Sequence, residues 1–192
     1  MRHPGMRWFA GIVALSAAIA AALAASATAG VLFRDTFHEE GTATLEDFCE
    51  VSGMTVEIAF STDGRVQAVP HGRDRLAYFL EHLQGRNVYT NVDNDKFVTE
   101  TFRVVNKDLQ VTDNGDGTLT ILALATGNGT LYGADGKAIA RNPGQVRVEF
   151  IVDHGGTPSD PDDDVFLEDL GLVKGSTGRT DDFCEAAVPA LS

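Results

Sequence analysis

The stretch Val98 to His154 decides the fold: FVTETFRVVNKDLQV (97–111), DNGDG (113–117), TLTILALA (118–125), then a Gly-rich crossing to QVRVEFIVDH (145–154). Its extended runs carry β-branched and aromatic residues, and its breaks carry Gly, Asn and Asp, which tolerate the backbone of a tight reversal. This is the middle of an antiparallel meander. Val98, Glu100, Phe102 and Val104 share one face. The apolar phase then slips, because Val105, Leu109 and Val111 take the other parity. A β-bulge near Val104-Val105 accounts for the slip and would help a sheet curl.

Working outward, Met54 to Ser61 alternates cleanly, and Val31 to His38 does so more weakly. Glu39-Glu40-Gly41, Thr62-Asp63-Gly64-Arg65, Asp93-Asn94-Asp95, Gly127-Asn128-Gly129, Gly133 to Gly136 and Asn142-Pro143-Gly144 read as turns or strand breaks. Residues 74–84 fit a helix or a strand. Their β surroundings favour the strand. After His154 the chain becomes an acidic, Pro-containing loop, then a last strand at Val165 to Val173 and a short tail from Phe183 to Leu191. Many strands with frequent turns predict an all-β domain. The expected form is an antiparallel meander closed into a barrel, with a β-sandwich as the alternative.

The first 29 residues have the marks of a secretory signal peptide: Arg2 and Arg7, an uncharged apolar run from Trp8 to Ala25, and Ala27-Thr28-Ala29 before Gly30. Cleavage after Ala29 leaves one domain, 30–192, bound for the extracellular space. The chain has 15 basic and 28 acidic residues. Removing Arg2 and Arg7 leaves 13 basic against 28 acidic, a charge of −15. That excludes nucleic acid and anionic membranes as partners and leaves cations and basic partners open. In an exported chain, Cys49 and Cys184 are expected to form one disulfide.

Motifs for nucleophilic hydrolysis, zinc, phosphate and dinucleotide binding are absent from the sequence. Polar residues in phase with apolar faces are the site candidates: Thr90, Glu100 and His154 for a ligand, with Glu100 and His154 as the catalytic pair if the chain is an enzyme. Such groups at a barrel mouth could hold a polar head or move a proton. No organic cofactor is implied. Asp160, Asp162, Asp163 and Asp164, with Asp153, form a calcium-ligand candidate. The structural alternative is a solvated acidic loop.

The run KDLQVTDNGDGTLTILALATGNGTLYGADGKAIARNPGQVRVEFIVDHGGTPSDPDDDVFLEDLGLVKGSTGRTDDFC resembles a family of uncharacterised secreted actinobacterial β-rich proteins. The resemblance spans Cys49 to Cys184. It implies export and a shared fold and carries no activity or site residues. Lipocalin-like and allene-oxide-cyclase-like barrels are analogies of fold alone. The leading expectation is a secreted β-barrel that binds a small apolar or amphipathic ligand. The alternatives are a non-catalytic envelope or inhibitor-like protein acting through an acidic surface, and a barrel-mouth isomerase, cyclase or hydrolase.

Overall fold

A computed structural model describes residues 31–192; the signal-peptide reading of residues 1–29 lies outside them. Seven strands follow in chain order: β1 (Phe33–Leu45), β2 (Val56–His71), β3 (Leu76–Asn91), β4 (Phe97–Asp113), β5 (Thr118–Tyr132), β6 (Ala138–Asp153) and β7 (Val165–Lys174). A C-terminal helix, α1 (Phe183–Leu191), completes the chain. The strands form one sheet in the order β1-β2-β3-β4-β5-β6-β7, each antiparallel to the next. The meander is therefore as expected, and of residues 74–84 all but Asp74 and Arg75, which lie in the preceding turn, belong to β3.

The sheet is not closed, and among the described residues there is no second sheet to make a sandwich. β1 and β7 are its two edges. β7 is the shortest strand, and its register against β6 shifts three times. Such shifts bend an edge away from regular pairing. β7 also leaves Val165, Phe166, Leu167, Leu170, Leu172 and Val173 between 45% and 58% exposed.

Strands β1 to β6 run 13–17 residues, against a usual length of about 5–6. Their length comes from glycines that do not turn the chain. Gly41, Gly64, Gly127 and Gly144 were expected at turns or breaks, yet each lies inside a strand. The register places Phe60 opposite Gly41 and Phe37 opposite Gly64. Each ring fills the place of the missing side chain: a Cβ at Gly41 would stand 2.9 Å from Phe60 Cζ. Gly85 is likewise covered by Phe102, whose Cζ would lie 2.5 Å from a Cβ there. This is aromatic rescue of strand glycines. The reversals fall elsewhere, where glycines have positive φ and nothing near them, as at Gly72, Gly115 and Gly136.

One face, here the core face, carries the alternating buried positions: Val56 and Ala68 on β2, Leu83 on β3, Val98, Phe102 and Val104 on β4, Ala125 and Leu131 on β5, and Ala140 and Val146 on β6. The phase slip in β4 is real, but the bulge lies at Asp108/Gln110 rather than at Val104-Val105. It returns Val111 to the face of its partner Ile121.

At one end α1 and a 3-10 turn at Phe48–Glu50 pack over the core face. Ala187 and Leu191 of α1 share an apolar cluster with Phe48, Val56, Val98, Leu131 and Ala140. Phe48, Tyr89 and Phe183 form an aromatic trio, with centroid separations of 5.2 to 6.1 Å. The Cys49–Cys184 disulfide joins turn and helix, with Cα atoms 5.5 Å apart. Asp182 caps the helix start by accepting from Glu185 N at 2.9 Å. The Nδ2 groups of Asn91 and Asn94 each donate to Leu191 O at the helix end, both at 2.9 Å. Among the described residues no helix is long and apolar enough to cross a membrane.

Candidate functional site

Beneath α1 the core face becomes polar. Register places Gly41, Phe60, Asn87, Glu100, Leu131 and Ala140 in one row across β1 to β6. Glu100 is 5% exposed. Its Oε2 accepts from Tyr89 OH at 2.8 Å and from Asn87 Nδ2 at 3.0 Å. These donors are neutral, so the charge of an ionised Glu100 is solvated without being neutralised. Burial raises the Glu100 pKa, and the two hydrogen bonds oppose the rise. Burial and the neighbouring carboxylate both push the Tyr89 phenol upward, which keeps it a donor.

Two more carboxyls lie further along β3 and β4. Glu81 Oε2 accepts from Asn106 Nδ2 at 2.8 Å, and burial raises its pKa against that bond. Asp108, at the bulge, accepts from Phe79 N at 2.7 Å. It is pushed up to about 7, first by burial and then by the charge of Asp164, with the Phe79 N–H opposing. β4 thus carries carboxyls of weakened acidity at both Glu100 and Asp108.

Row by row, the core face next meets Phe102, Gly129 and Asn142. Asn142 is 3% exposed, and its Oδ1 is buried without a hydrogen-bond partner. A buried acceptor left without a donor costs about 1–3 kcal/mol, so this atom marks either strain or a missing donor. Asn142 was not singled out from sequence, because Asn142-Pro143-Gly144 has the composition of a turn. Asn87 and Tyr89 were also missed. Only the pairing of Asn87 with Glu100 brings them together, and register is not written in one strand alone.

The sequence candidates do not converge. Glu100 pairs with Leu131, whereas His154 follows Val152, the partner of Leu119. The twelve positions between Leu119 and Leu131 span about 40 Å of strand at roughly 3.3 Å each. A shared catalytic cavity for Glu100 and His154 is not what this geometry offers. His154 instead organises a turn: its Nδ1 accepts from Gly156 N at 3.2 Å, and its carbonyl accepts from Thr157 N at 2.8 Å. Thr90 is the neighbour of Asn91 and Tyr89 and has the opposite parity, so it lies on the outer face. Val88, which shares its parity, lies on that outer face too, so the apolar stripe through Thr90 is not the core stripe.

The calcium candidates have local duties. Asp153 Oδ1 accepts from Gly155 N at 2.9 Å, and Asp163 Oδ2 from Thr157 Oγ1 at 2.7 Å. Asp164 has a buried Oδ1 without a partner. Its pKa is pushed up to about 6, chiefly by burial, with Asp163, Asp160 and Asp153 adding and His154 opposing. The side chain of Asp162 lies outside the description, and Asp160 has partners of its own. Among the described residues no three His, Cys, Asp or Glu side chains come together as metal ligands. No protein-family model, curated protein or solved structure matches the chain.

Proposed function

We propose that this is an exported protein that binds a small amphipathic ligand on the core face of the curled meander, without catalysis. The observation that carries the reading is the cluster of buried Glu100 with half-buried Asn87 and Tyr89, which meets α1 through the ring of Phe183. Away from α1, Leu83, Phe102 and Val104 of the same face are buried in an apolar cluster with Phe37. Polar groups set among Phe37, Phe60, Phe102 and Leu83 suit a ligand with both apolar body and polar head. The barrel expected from sequence enters only as curling about such a ligand. Its support is the cluster that gathers residues of β2, β4, β5 and β6 against α1 and the turn at 48–50. The disulfide is compatible with export.

Native mass spectrometry of the protein secreted by its own cells tests the proposal. The expected spectrum shows a bound species of a few hundred daltons that denaturation releases. A bare polypeptide mass, together with no thermal shift across a metabolite panel, would contradict it.

A further inference from the structure

The charges of the sheet are sorted by face, and the sorting is sharpest across the middle of the outer face. One register row crosses every strand from Arg34 on β1 through Lys107 and Arg147 to Lys174 on β7, with Gln67, Leu80 and Leu124 between them. The next row runs from Thr36 through Arg65, His82, Val105 and Thr126 to Gln145. Every strand except β5 thus gives a basic side chain to this strip, and neither row contains an acid. The chain has 28 acidic residues against 15 Lys and Arg, so an unsorted surface would show the reverse. Arg34, Arg65, His82, Lys107 and Lys174 are exposed, and Arg147 is half-buried.

The fold does not neutralise these groups. Elsewhere surface cations have acid partners: Lys137 with Asp135 at 2.9 Å, Arg179 with Asp181 at 2.7 Å, and His38 Nδ1 with Asp63 at 2.8 Å. Among the described residues no basic group of the strip forms an ion pair. Arg34 donates to the neutral amide of Gln67 at 3.2 Å. Acids bound the strip rather than interrupt it: Asp63 stands in the row on one side and Glu149 in the row on the other.

Shape and chemistry select the partner. Strands about 4.8 Å apart and rows about 7 Å apart make the strip about 29 Å long and narrow, well short of the roughly 800 Å² that a globular partner covers. It suits an extended chain lying across the strands. The two rows hold no aromatic ring on which nucleic-acid bases could stack, and no exposed apolar side chain to enter a membrane. Between the basic groups lie amides and hydroxyls at Thr36, Gln67, Thr126 and Gln145. A polymer charged at every unit would leave these unused, whereas one carrying both carboxylates and hydroxyls meets both.

We infer that the outer face is a track for a linear acidic polysaccharide, its carboxylates on the basic groups and its hydroxyls on the amides and alcohols between them. The acidic balance of the whole chain repels such a polymer only weakly beyond about 8 Å at physiological salt, so the strip decides the contact. This face is the reverse of the one bearing Glu100, and the inference does not rest on the small-ligand reading.

Biolayer interferometry on immobilised sodium alginate, dextran and oligothymidylate tests it. The expected result is saturable binding to alginate, at least about 10-fold tighter than to dextran and weakened by about 10-fold between roughly 50 and 200 mM salt. Arg65→Gln combined with Lys107→Gln should weaken alginate binding by at least about 10-fold. Arg73→Gln combined with Lys137→Gln removes the same charge outside the strip and should leave binding within about 2-fold. All four positions are exposed, so both double variants should fold. No binding to alginate, equal binding to dextran, or equal losses in the two double variants would overturn the track. Tighter binding to oligothymidylate than to alginate would overturn the polysaccharide and assign the face to nucleic acid.

Discussion

Replacing Asp108 by Asn is expected to stabilise the protein by about 2–4 kcal/mol at pH 8 and to change little at pH 4. The wild-type carboxyl titrates near 7 in the folded chain against an ordinary 3.8. A shift of about three units at 1.36 kcal/mol each sets a ceiling of about 4 kcal/mol. The sign follows from proton counting. Between pH 3.8 and 7 the folded state holds a proton that the unfolded state has lost, so stability falls as pH rises through that window and stays low above it. An Asn keeps an oxygen for Phe79 N and removes both the buried charge and its repulsion from Asp164. Urea unfolding of wild type and variant at pH 4 and pH 8 checks this. A gain of equal size at both pH values, or destabilisation at pH 8, would mean that burial of charge is not what Asp108 costs the fold.

The second large effect belongs to the disulfide. Cys49 and Cys184 are 135 residues apart in sequence, and chain-entropy models credit a loop of that size with about 4–5 kcal/mol. Replacing both by Ser is expected to lower the melting temperature by about 10–15 °C, at roughly 2–4 °C per kcal/mol for a chain of this size. The loss should centre on α1. A nine-residue helix does not persist alone in water, and this one is held by Ala187, Leu191, the aromatic trio and Asn91. Melting followed by far-UV circular dichroism gives the answer. A shift of only one or two degrees would show that packing alone secures the helix.

Alternation at Met54 to Ser61 and at Val98 to Val104 was enough to read strands, and two cysteines in a chain expected to be exported were enough to read a disulfide. Glycines caused most of the error. Gly64 has the sequence context of a turn, but the ring that occupies its place, Phe37, comes from another strand. Nothing within four residues of Gly64 reports that. The candidate site suffered from the same blindness to register. Glu100 was visible because it breaks an apolar stripe on its own strand. Asn87, Tyr89 and Asn142 gain their meaning only from partners on β4 and β5. Thr90 looked equivalent to Glu100 because Val88 and Val92 flank it, yet pairing with Phe97 sends it to the opposite face.

The central claim is that the core face beneath α1, rather than the basic outer face or the apolar edge at β7, is where this protein meets its ligand. Backbone amide NMR of the protein secreted by its own cells, compared with the same protein denatured, stripped of small molecules and refolded, tests it most directly. The predicted result is a set of shift differences centred on Asn87, Tyr89 and Glu100, with Arg65, Arg103 and Leu167 unmoved. Differences confined to β7 or to the outer-face residues, or identical spectra, would contradict it.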